Sequence, residues 1–302
     1  MPASVNAEDP DQRVCEAAAV LPAYGGVTGW GALRWGGGSY FTGTTPGGRC
    51  RPVVVAVMHG EIRNQPGILV TSERLPPRDL TRHDGLAITT HVRSVCYEIR
   101  YARSDREAVV ILDMAMMDDL VSLEEVAAYV LTLNGWIGVG RCRIALAFAD
   151  ENSWSPMETQ FRWIWVVVAE LPRPLCNRPV FDLEGRHVGT PDLIDVEAGL
   201  VGEYEGGLHL EGARRGVDLK KEAAYRRLGL EYVVMVAADQ TSPETTIVPR
   251  LLEARGRARF EAESARAWTI EPPRWWTSTT TVAARRALSE EQRARLLRYR
   301  AG

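Results

Sequence analysis

The chain has 302 residues, a length that suggests about two domains, and its 45% apolar and 25% charged residues suit a globular protein able to bury a sizeable core. A formal net charge of −3 excludes a global basic field, so any nucleic-acid contact must use a local patch. The apolar runs 52–58 and 163–171 are too short to cross a bilayer, the acidic start carries no apolar signal core, and five scattered cysteines offer neither a disulfide framework nor zinc spacing; no membrane partner and a cytoplasmic location are expected.

Residues 1–12 read as a disordered start. A short helix is predicted over 14–21, Gly25 and Gly26 break the chain, and Thr28 is placed to cap a second short helix through Trp35. Two short helices about a turn hint at a truncated winged helix. The second offers only Arg34 as a basic group beside two tryptophans, which packing explains as well as DNA reading. β-Branched runs predict strands at 53–58, 67–72 and 85–90. Helices are predicted over 93–102, 106–118 and 141–149, with another opened by the capping box Ser122–Glu125. Residues 13–150 thus form an α+β region.

The pattern then changes. Ser155 caps a helix with Pro156 at its first position and Glu158 at its third. Strands follow at 175–181, 186–195 and 200–205, and their short connections predict an antiparallel meander. A helix over 211–228, a strand over 231–238 and a helix over 242–254 complete an α/β domain at 151–258, whose core order is αβββαβ. Residues 259–302 read as a tail with Arg274, Trp275 and Trp276 and an arginine-rich terminal helix. Such a tail either meets phosphates and bases or packs on its own domain.

The residues with chemical promise lie in the meander. Asp192 follows Pro191 in the second strand, and Glu203 and Glu205 share one face of the third. Adjacent strands can bring Asp192 beside Glu203, and paired carboxylates repel unless a cation neutralises them. A hard divalent ion, Mg²⁺ or Mn²⁺, suits such oxygens, can activate water and can stabilise charge on a phosphate. The plain alternative is a set of exposed strand acids. Glu158 can reach the same centre, although capping already explains it. His209 can orient water or contact phosphate, or it is an ordinary surface histidine. Lys220 and Lys221 can point toward phosphate.

Ser155-Pro156-Met157-Glu158, Pro191-Asp192, Glu203-Tyr204-Glu205-Gly206 with His209, then Asp218, Lys221 and Leu228-Gly229 resemble an actinobacterial family. Its C-terminal domain is similar to the very-short-patch mismatch repair endonucleases of the PD-(D/E)XK group. Upstream, residues 85–90 and 108–122 also resemble that family, whose N-terminal part looks like the winged-helix antitoxins of abortive-infection (type IV) systems. The resemblance implies a restriction-endonuclease-like fold with metal ligation by Asp192 and Glu203, and with Glu158 and His209 nearby. It also implies a lysine where this chain has Glu205. Either Glu205 is a further ligand, or Lys220 or Lys221 substitutes from the helix, or catalysis is lost. The expected function is a Mg²⁺-dependent endonuclease acting on nucleic acid, DNA first. The alternatives are a non-catalytic antitoxin-like DNA-binding regulator and an interaction protein whose partner the sequence does not name.

Overall fold

A computed structural model of the chain describes residues 6–58, 62–206 and 212–298, with the side chains of 212–219 excepted. It divides into two compact units, Met1–Ala149 and Asp150–Gly302.

The first unit is α+β. Helix α1 (Pro10–Ala19) starts two residues before the expected end of disorder, because Asp9 accepts from the N–H groups of Asp11 and Gln12 and Pro10 opens the first turn. Strand β1 (Gly25–Thr28) and helix α2 (Trp30–Trp35) follow. Then come β2 (Val53–Val57), β3 (Ile68–Thr71), β4 (Leu80–His83) and β5 (Leu86–Thr89). Helices α3 (His91–Arg100), α4 (Asp105–Met117), α5 (Leu123–Val130) and α6 (Val139–Phe148) end the unit. The sheet order is β3-β2-β1-β5-β4.

This corrects the helix-turn-helix expectation. A buried strand, not a turn, separates α1 from α2, and Thr28 belongs to that strand rather than capping α2. The glycines misled because their role is close approach, not chain breaking. A Cβ on Gly26 would stand 2.9 Å from the carbonyl carbon of Ile88 in β5, so a bare backbone is needed between β2 and β5.

The second unit carries the candidate chemistry. Helix α7 (Pro156–Trp163) is capped by Ser155, whose Oγ accepts from the Glu158 N–H, and it runs into a π-turn over Ile164–Val168. Short strands β6 (Leu175–Cys176), β7 (Val180–Asp182), β8 (His187–Gly189) and β9 (Leu193–Asp195) lead to the longer β10 (Leu200–Glu205). Then come α8 (Gly212–Arg227), β11 (Glu231–Val236), α9 (Ile247–Arg257), β12 (Trp268–Thr269), α10 (Val282–Arg286) and α11 (Glu290–Leu296).

The main sheet has the order β11-β10-β9-β6. Strand β9 lies between β6 and β10 and runs antiparallel to both, and β11 returns through α8 to lie parallel to β10. The simple meander is corrected in one respect: each of its first two strands is broken. Asn177 turns the chain with φ +46°, and Pro191 has no N–H to give a ladder. The hairpin β7–β8 so released joins β12 in a second sheet of order β12-β7-β8. The segment beyond residue 258 therefore folds back into the unit, with Trp268, Val282 and Arg285 buried.

Strand alternation sorts the core. Leu193 and Leu200 face Phe161, Trp165, Ile247 and Leu251, which places α7 and α9 on one side. Ile194 and Val201 face Tyr225 and Trp268, which places α8 on the other. A Cβ on Gly202 would meet the Phe161 ring at 2.8 Å, so glycine lets α7 settle close on β10.

Candidate active site

The site gathers where β9, β10, α7 and α8 meet. Register pairs Gly202 with Leu193, so the next residues outward are Glu203 on β10 and Asp192 before β9. The Tyr204 N–H donates to Asp192 Oδ2 at 2.7 Å and fixes that carboxylate against the strand. Glu203 lies on the same face of β10 as Val201, toward α8, and is buried. There Lys221 Nζ stands 2.5 Å from Glu203 Oε1 and also donates to the Thr190 carbonyl at 3.2 Å. The helix phase thus selects Lys221, while Lys220 is exposed. Below the lysine, the ring of Tyr225 lies 6.0 Å from Nζ, one turn along the helix.

Glu158 approaches from the start of α7. Its Oε2 accepts from the Trp154 N–H at 2.8 Å and from Asn177 Nδ2 at 2.6 Å. Sequence reasoning missed Asn177. Its amide also donates to the Asn152 carbonyl at 2.7 Å, and Asn152 Nδ2 returns bonds to the carbonyls of Cys176 and Asn177. The Asn177 N–H donates to the Asp192 carbonyl at 3.0 Å. One residue therefore ties Glu158 to the loop bearing Asp192. The only sequence signal was an asparagine in a turn-like Asn-Arg-Pro stretch, compatible with its left-handed φ.

Electrostatics mark the cluster. Burial first, and then the Asp192 charge, push Glu158 up to about 8. Burial, followed by Asp192, raises Glu203 to about 8 against the pull of Lys221. Asp192 is also raised by burial, opposed by the Tyr204 N–H and Lys221. Three crowded acids share one nearby lysine, so the pocket is short of positive charge.

The remaining expected residues divide. Glu205 is exposed at the end of β10, opposite Val236, and its side chain makes no hydrogen bond or ion pair among the described residues. His209 lies outside the described residues. Among the described residues, no set of three acidic, histidine or cysteine side chains converges to hold a metal. The residues that could hold a divalent ion are Asp192 and Glu203, since Mg²⁺ keeps several waters and commonly uses one or two carboxylates plus substrate phosphate.

Comparison with protein-family models, with curated proteins and with solved structures gives no match. Among the described residues, no helix is long and apolar enough to cross a membrane.

Proposed function

We propose that the second unit is a restriction-endonuclease-like domain of the PD-(D/E)XK kind and hydrolyses phosphodiester bonds of nucleic acid, DNA in the first instance. The observation that carries this reading is the Lys221–Glu203 contact of 2.5 Å beside Asp192. It supplies, from helix α8, the cation that the sequence lacks at Glu205. The αβββαβ order of α7, β6, β9, β10, α8 and β11 supports the same reading.

Asp192 and Glu203 would hold a Mg²⁺ or Mn²⁺ ion, which when bound lowers the pKa of water and offsets phosphate charge. The protein's own groups have separate tasks. Lys221 sits against Glu203 in the free protein and presents an ammonium where charge grows on a phosphate. The Tyr204 N–H orients Asp192. Glu158 and Asn177 hold the loop from which Asp192 projects, so Glu158 acts as a positioning residue.

The test is cleavage of single-stranded and duplex DNA and of RNA, with Mg²⁺ or Mn²⁺. Asp192→Asn and Glu203→Gln should each abolish cleavage, and Lys221→Met should slow it by about 10²–10³-fold, the usual cost of one charge-stabilising donor. Unchanged rates in the two carboxylate variants would remove the reading.

A further inference from the structure

Next to the carboxylate centre lies a cleft of about 450 Å³, within the size range of small-ligand sites. Trp154, Trp275, Trp276 and Pro179 give it apolar walls, and Asn177, Thr190 and Arg295 add polar groups. Two of these residues also hold the site. Asn177 Nδ2 donates to Glu158, and the Thr190 carbonyl accepts from Lys221. The cleft and the carboxylates therefore share a wall.

The aromatic wall is built, not incidental. Trp276 packs 5.1 Å from Phe181, edge to face at 83°, and 5.0 Å from His187. Trp275 stands 5.6 Å from Trp276 at 66° and leaves 64% of its surface exposed. The Trp275 indole is braced by Trp276 and Phe181 and lines the cleft with part of its surface open. Flat π-faces of this kind accept nucleobases without regard to sequence.

The polar lining ties the cleft to the site. Asn177 is 2% exposed, and its Oδ1 has no hydrogen-bond partner among the described residues. The amide orientation is fixed, because Nδ2 already serves two acceptors, Glu158 Oε2 and the Asn152 carbonyl. Asn177 thus stands in the cleft wall with its amide committed to the carboxylate site, which joins the two. Arg295 on α11 makes no ion pair among the described residues and is available for a phosphate.

We propose that this cleft seats an unpaired nucleobase of the substrate strand, stacked on the open face of Trp275 with Trp276 at its edge, so that the neighbouring phosphate enters the carboxylate centre. The substrate is then a single strand or a duplex with an extruded base. This rests on the nuclease reading for the fate of the phosphate, but not for the binding of the base.

The test is equilibrium binding of a fluorescein-labelled 12-mer single strand, its fully paired duplex and its RNA equivalent, in EDTA with the full chain. The single strand should bind at least tenfold more tightly than the duplex. Trp275→Ala should weaken single-strand binding at least about fivefold, in line with the stacking energy of one base, and leave duplex binding alone. Trp276→Leu, checked by circular dichroism for folding, should do the same. RNA bound as tightly as DNA keeps the base-seating claim, since the recognised group is common to both. Equal single-strand affinity in both tryptophan variants would overturn it, as would a nucleoside monophosphate competing as tightly as the strand. If the tryptophan variants lose binding but no metal-dependent cleavage exists, the cleft stands and the nuclease reading falls. If Asp192→Asn abolishes cleavage while both tryptophan variants keep KM, the nuclease reading stands and the cleft falls.

Discussion

Glu158 and Glu203 are buried glutamates held up to about 8, against an ordinary 4.5, first by burial and next by the Asp192 charge. An acid raised in the folded state favours the fold when protonated. The stability it contributes is complete below the unfolded value near 4.5 and is lost as pH rises through about 8. In metal-free buffer the Tm should therefore fall between pH 5 and pH 9. Glu158→Gln should flatten that slope, because glutamine can still accept from Trp154 and Asn177 through its carbonyl oxygen. The difference should reach several degrees at pH 9, since each kcal/mol moves Tm by about 2–4 °C in a domain of this size. Added Mg²⁺ should raise Tm more at pH 8.5 than at pH 6, because the ion competes with protons for Asp192 and Glu203. Calorimetric scans across this range, with and without Mg²⁺, decide it. A flat Tm profile in the metal-free wild type would contradict the burial argument.

Elements decide which residues meet, and they were unevenly legible in the sequence. Asp192 and Glu203 could be paired from sequence because alternation along two adjacent antiparallel strands is a strict rule. The choice between Lys220 and Lys221 depended on the rotational phase of α8 against β10, which spacing within the helix does not reveal. Asn177 and Thr190 were out of reach, since their roles arise where the strands break. The same limit applied to Gly26, whose close approach to β5 looked like a chain break. Gly202 is the clearest case in the second unit, because the sequence shows only a small residue in an apolar run. Gly202→Ala would place a Cβ 2.8 Å from the Phe161 ring and 3.1 Å from Trp165, both fully buried. Overpacking of this kind costs about 1–3 kcal/mol. Denaturant unfolding should show a lower midpoint with an unchanged slope. If α7 is forced off β10, Glu158 should also lose its grip on Asn177, and the proposed cleavage should fall more than stability alone explains.

Charge at the scale of the whole molecule sets how the protein meets a polyanion. The net charge is −3, and several arginines are spent internally. In the first unit, Arg100 pairs with Glu73 at 2.6 Å and Arg51 with Glu98 at 2.7 Å. In the second, buried Arg285 donates to the carbonyls of Glu151 and Thr279, and Arg255 pairs with Asp195 at 3.1 Å. Arg295 lines the cleft without an ion pair among the described residues, and Lys221 borders it from beside Glu203. Each phosphate neutralised on a single strand contributes about −0.7 to the slope of log K against log salt. One or two such contacts give a slope of about −0.7 to −1.4, so affinity for a single strand should fall only about threefold to sevenfold between 50 and 200 mM salt. Stacking on tryptophan is insensitive to salt, so the Trp275→Ala defect should persist across that range. An Arg295→Ala variant should flatten the slope by about 0.7 without changing the preference for single strands. A loss approaching a thousandfold over the same salt range would mean an extended basic track on the surface, and the cleft would then contribute little to how substrate is held.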